Sequence, residues 1–168
     1  MLIEAKKLIG LPVAALASES KIGDVREILI DPENGRLLGF LVATGGMFSA
    51  KKALSVTDIK DWDPNGLVTE SRENLVSPSE IVRIKEVLEK KIILIGMKAK
   101  TESGKSLGEV EDLLVDSETQ SVAKYYLRDL LGHTRILTPD KVIKIEKEII
   151  FVDDISEVPG SAVGAPVA

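Results

Sequence analysis

The chain repeats itself, and that constrains its fold more than any other feature. Lys21-Ile-Gly-Asp-Val-Arg-Glu-Ile-Leu-Ile-Asp31 aligns with Ser106-Leu-Gly-Glu-Val-Glu-Asp-Leu-Leu-Val-Asp116, about 85 residues later. Gly23 meets Gly108, Val25 meets Val110, Ile28 meets Leu113, Ile30 meets Val115 and Asp31 meets Asp116. Upstream, Leu8-Ile-Gly10 corresponds to Leu94-Ile-Gly96. Downstream, residues 37–42 meet 122–127, Leu54-Ser55 meets Leu137-Thr138, and Leu67-Val68-Thr69 meets Ile150-Phe151-Val152. Five colinear blocks in one order mark a duplication. So long a period makes each copy a domain-sized unit, not the 20–50-residue module of a solenoid. The 168 residues therefore divide into two small domains, over 1–76 and 92–157, with a linker at 77–91 and a flexible tail at 158–168.

Within each unit the segments are short, β-branched and separated by turn residues, which is the pattern of strands. Asp31-Pro-Glu-Asn-Gly35 is a turn with a mechanism, because Pro32 presets φ while Asn34 and Gly35 tolerate left-handed backbone. It joins residues 28–30 to 37–42 as an antiparallel hairpin. Asp63-Pro-Asn-Gly66 predicts a second hairpin, between 56–61 and 67–70. Gly23 and Gly108, inside strand-like runs, predict bulges or sharp bends in a small curved sheet. Between the units, Ser77, Pro78 and Glu80 form a capping signature before the apolar stripe Ile81, Ile84, Val87, Leu88. This linker helix is expected to pack its stripe on one or both domains.

Leu8-Ile-Gly-Leu-Pro-Val13, Lys21-Ile-Gly-Asp-Val25 and Ile28-Leu-Ile-Asp-Pro-Glu-Asn-Gly-Arg-Leu-Leu-Gly-Phe-Leu-Val42 together resemble the PRC-barrel family. The resemblance extends over residues 8–70 and, more weakly, over 94–153. In the second copy Ser117, Thr119 and Gln120 replace Pro32, Asn34 and Gly35, and Lys124 replaces Gly39, so the first turn there has no evident type. The resemblance implies a mainly β protein: two small antiparallel barrels joined by a short helix and used as binding modules. Other settings of the family are the cytoplasmic part of a photosynthetic reaction-centre subunit and the carboxyl-terminal domain of a ribosome maturation factor. Neither function transfers, since this sequence shows no membrane helix and no distinct leading domain of that kind. The family brings no catalytic residue set to carry over.

Composition narrows the chemistry. Zero cysteines exclude disulfides, thiol nucleophiles and thiolate metal sites, and a single histidine, His133, excludes a His-rich zinc centre. Net charge is −5, with nine Lys and Arg against eleven Asp and Glu over 1–76 and thirteen against sixteen beyond. Neither half is a basic nucleic-acid module, and three Phe, two Tyr and one Trp cannot supply a row of base-stacking platforms. Glu4, Lys6, Lys7 and Pro12 interrupt the apolar amino-terminal run, so it is read neither as a signal peptide nor as a membrane span, and a cytoplasmic location is expected.

Individual motifs lead to bland readings. Asp61-Trp-Asp-Pro-Asn-Gly66 has the first half of a calcium loop, but Arg72 stands where the closing Glu belongs, so a turn is expected instead. His133 lacks a serine motif to activate and is read as a solvent-facing loop residue. The pairs Glu111-Asp112 and Asp153-Asp154 are read as surface solvation, since neighbours on a strand point to opposite faces. The apolar Met47 and Phe48, in a glycine-containing loop followed by Lys51 and Lys52, are the candidate partner contact. The expectation is a non-enzymatic protein-binding adaptor with no catalytic, cofactor or metal site and no direct membrane insertion. Its partner is an unidentified protein, and a homodimer is compatible with the repeat. The alternative is a ribosome-maturation or RNA-processing factor that binds ribonucleoprotein.

Overall fold

A computed structural model of the protein describes residues 1–46 and 49–156. The first half contains β1 (Leu2–Glu4), α1 (Ala5–Leu8), β2 (Pro12–Ala15), β3 (Ser20–Ile30), β4 (Leu37–Ala43), β5 (Lys52–Ser55), β6 (Ile59–Asp63), β7 (Gly66–Thr69) and β8 (Leu75–Val76). The helix α2 (Val82–Glu89) leads into β9 (Lys98–Thr101), β10 (Ser106–Asp116), β11 (Ser121–Arg128), β12 (Thr134–Leu137), β13 (Val142–Ile145) and β14 (Ile149–Phe151). The strands form two curled sheets, ordered β6-β7-β2-β3-β4-β5-β8 and β12-β11-β10-β9-β14-β13, with β1 added beside β10. The mainly β, two-sheet architecture joined by a helix is as expected.

Three expectations are corrected. The sheets are not wholly antiparallel, because β2–β7 and β9–β14 run parallel. The chain leaves β5 through a 3-10 turn (Val56–Asp58), which redirects it, so the β6–β7 hairpin starts at Ile59 and closes on β2 with β7 running the same way. Ile149, not Ile150, is the counterpart of Leu67, since these two pair with Ala99 and Val13 respectively. Three residues separate the paired Ile145 and Ile149, against four between the paired Trp62 and Leu67, which shifts every later position by one. Finally, residues 77–91 are not one helix. Pro78–Glu80 form a 3-10 turn, Ile81 is extended, and only Val82–Glu89 are α-helical.

The glycines act as predicted. A bulge interrupts the β2–β3 register beside Gly23, and another the β9–β10 register beside Gly108. At Gly23 a Cβ would lie 2.6 Å from the Ala43 carbonyl oxygen, so only glycine lets β4 approach this closely. In the second copy the turn after β10 keeps the geometry of the first despite its different residues. Gln120 takes φ +52° where Gly35 takes +69°, and Asp116 accepts the Glu118 N–H at 2.9 Å as Asp31 accepts that of Glu33.

The repeats meet where each residue faces its own counterpart. Arg36 bridges Ser121; Leu37 N–H donates to the Gln120 carbonyl at 2.8 Å, and Val122 N–H donates to the Gly35 carbonyl at 3.0 Å. These reciprocal bonds define an approximate twofold axis. Each leading segment also crosses it. β1 pairs with β10, and α2 packs on β3 and β4. One hydrophobic cluster runs through both halves, from Val13, Phe40 and Leu67 to Leu113, Tyr125 and Phe151.

Phe40 meets Trp62 edge-on at 5.7 Å, and its counterpart Tyr125 meets Phe151 at 5.9 Å. Burial pushes the Tyr125 phenol up to about 12. The folded state therefore keeps a proton that the unfolded chain releases near pH 10. Stability from this group is full below about pH 10 and declines by roughly 1.4 kcal/mol per pH unit toward 12. Tyr125→Phe is expected to lose less stability than wild type between pH 8 and 11.5, read from urea midpoints at each pH.

Candidate binding cleft

The linker helix owes its position to its sequence. Glu80 accepts the Ser77 N–H at 2.8 Å before the first helical turn. At the other end Lys91 adopts φ +54°, and the bonds Ile92 N–H to Val87 carbonyl and Lys91 N–H to Leu88 carbonyl close a Schellman motif. Ile84 is fully buried against Leu29, Leu41 and Ala53 on the outer face of the first sheet. Arg83 fixes the helix azimuth: its guanidinium donates to both oxygens of Asp31, at 2.6 and 3.3 Å, and pairs with Glu86 at 2.7 Å. Asp31 is a buried carboxylate, and its hydrogen bond, above all, holds the Arg83 pKa above the ordinary arginine value.

Held this way, α2 forms one wall of an open cleft of about 1040 Å³. The β13–β14 hairpin and Lys100 of β9 form the opposite wall, and the β3–β4 turn contributes Pro32 and Glu33. An apolar floor of Val87, Ile92, Ile145 and Ile150 continues to Ile143, which stands 47% exposed at the mouth. Charge of both signs rims it. Lys100 pairs with Glu148 at 2.8 Å and Lys144 with Glu146 at 3.8 Å. The hydrogen bond from Lys100 holds the Glu148 carboxyl below the usual range. Among the described residues Lys90 and Lys147 make no ion pair.

The sequence-based candidates lie elsewhere. Met47 and Phe48 fall outside the described residues. Lys51 is exposed, Lys52 opens β5 opposite Val42, and neither lines this cleft. The repeat offered a signal that composition did not. The β11–β12 loop occupies the corresponding place in the second copy, and it too carries an apolar pair, Leu130 and Leu131, 104% and 83% exposed. Asp129 shapes that loop by accepting the N–H groups of Leu131 and His133 at 2.9 Å. His133 is exposed, as expected, with its ring nitrogen 3.1 Å from Asp129.

Other motifs resolve locally. Asp63 accepts the Asn65 N–H at 2.8 Å and stabilises the β6–β7 turn. Glu111 pairs with Arg128, and Asp153 accepts the Ser103 N–H. Asp112 departs from the surface reading. It is half-buried and accepts the amide of Lys6 at 3.0 Å, fixing the crossing segment to β10, and desolvation raises its pKa.

The sequence profile of the PRC-barrel domain matches residues 1–76 and 94–159, covering both curled sheets. The chain belongs to the PRC-barrel family. The two matched segments cover the two copies, so the tandem PRC organisation follows the repeat. An uncharacterized protein of Deinococcus radiodurans is 41% identical over 63 residues, which are 36% of this chain and 23% of the relative. The match thus spans less than a quarter of the relative's length. Among the described residues no helix of the tandem PRC protein is long and apolar enough to cross a membrane.

Proposed function

We propose that this tandem PRC-barrel chain is a non-enzymatic, cytoplasmic protein-binding adaptor whose α2 cleft receives an extended segment of a partner protein. The exposed Ile143 at the mouth of an apolar floor carries this reading. A strip of isoleucine and valine between charges of both signs suits a peptide, whose apolar side chains alternate with polar groups. It suits a phosphate backbone poorly, because Glu33, Glu86, Glu146 and Glu148 oppose the basic groups. Among the described residues the lining holds no hydroxyl, thiol or imidazole to act as a nucleophile or neutral-pH base.

The test is a photo-crosslinking amino acid placed at Ile143 of the full chain, with adducts analysed from cells. A discrete protein adduct that survives nuclease and disappears with Ile145→Asp supports the reading. An adduct removed by nuclease, or small-molecule turnover by the purified protein, overturns it.

A further inference from the structure

The approximate twofold exposes a difference between the two barrels. On the first sheet α2 covers the outer face, and Leu29, Leu41 and Ala53 beneath it are 0%, 6% and 0% exposed. Their counterparts on the second sheet are Leu114, Tyr126 and Ile136. The cross-strand register is the same, for Tyr126 pairs with Ile136 as Leu41 pairs with Ala53. Yet these three are only half-buried, and none joins either hydrophobic cluster of the described residues. Beside them on β1, Leu2 is 60% exposed. The crossing segment turns Ala5 and Leu8 into the main core, while Glu4 lies opposite Leu114 and the Lys6 amide binds Asp112, opposite Tyr126, along the edge of this face.

The ionic anchor also has a counterpart. Arg83 of α2 pairs with Asp31 and Glu33, at 2.6 and 3.4 Å. The matching corner, Asp116 and Glu118, is approached by the α-amino group of Met1, at 3.8 and 3.9 Å. A cation is thus the complement of this corner in both repeats.

We propose that the outer face of β1, β10, β11 and β12 is a docking site for an amphipathic helix of a partner protein. That helix sits as α2 sits on the first sheet. It presents apolar residues at i, i+3 and i+7, as Ile81, Ile84 and Leu88 do, and a Lys or Arg at i+2, the place of Arg83. Leu114, Tyr126 and Ile136 receive the apolar stripe, and Asp116 with Glu118 receives the cation in exchange for the Met1 α-amino group. Charge selects this occupant over a second copy of the chain, whose face would bring another Asp116–Glu118 corner onto the same interface.

The probe is a displayed library of helical peptides about four turns long, selected against the intact chain. Enriched peptides are expected to show that apolar spacing and a basic residue. Their affinity should fall at least about tenfold with Leu114→Glu and with the Asp116→Lys, Glu118→Lys pair. Circular dichroism melts that match wild type confirm that the variants are folded. Failure to enrich any helix, or binding that survives Leu114→Glu, overturns the proposal. So does a dimer in light scattering that Leu114→Glu dissociates, which would make the second copy the occupant.

Discussion

Gly108→Ala is expected to lower stability by on the order of 3 kcal/mol or more, seen as a large fall in the urea midpoint. Two effects add. Gly108 sits at φ +89°, where a side chain costs about 1–2 kcal/mol. A Cβ there would also collide with the backbone carbonyl of Arg128 and lie 2.7 Å from the Asp129 Cα. That contact is backbone on backbone, so no rotamer change relieves it; β10 and β11 must separate where they enter the β11–β12 loop. Gly104→Ala separates the two effects. Gly104 has φ +94° with nothing near an added Cβ, so its substitution should show the conformational cost alone. Equal losses at the two sites would show that the close strand approach contributes nothing.

Val122→Pro is expected to cost a comparable amount, on the order of 3 kcal/mol, and to change the form of unfolding. The Val122 N–H is one of the two reciprocal bonds that fuse the repeats, and its side chain is buried in the core they share. Because that core, β1 and α2 all span the axis, the wild-type chain should unfold in a single calorimetric transition. Proline removes the donor at the axis and should split or broaden that transition. Val122→Ala keeps the N–H and should shift one transition by a smaller amount. If Val122→Pro gives the same single, modestly shifted transition as Val122→Ala, the reciprocal bonds do not couple the repeats.

Gln120 shows where sequence reasoning was limited. Its counterpart is a glycine, so the loss of glycine left the second turn without an evident type. The structure keeps the turn because Asp116 accepts the Glu118 amide and the Gln120 carbonyl is held by Leu37 from the other repeat. A left-handed Gln is tolerated because contacts far away in sequence offset its local cost. The Arg83–Asp31 pair was hidden for the same reason: the two residues are separated by 52 positions and meet only when α2 folds back over β3. Ile143, at the mouth of the cleft, reads in sequence as one more strand residue. Only the orientation of the β13–β14 hairpin makes it the exposed one.

Of the candidate partner contact, Met47 and Phe48 lie outside the described residues, and Lys51 and Lys52 do not line the α2 cleft. The cleft forms where α2 crosses onto the first sheet, which no local pattern encodes.

By itself the sequence determined the duplication, the strand-and-turn character of each copy, the glycines at the bulges and the presence of a helix between the copies. Each of these depends on interactions within a few residues, where φ preferences and side-chain alternation decide the outcome. The tertiary structure alone decided that each copy's leading segment crosses to the other, that β7 and β14 close their sheets in parallel, and that one barrel face is covered by a helix while its counterpart is half-exposed. Those features are set by packing between residues tens of positions apart. There the burial of a shared apolar core outweighs any preference readable from a local stretch of chain.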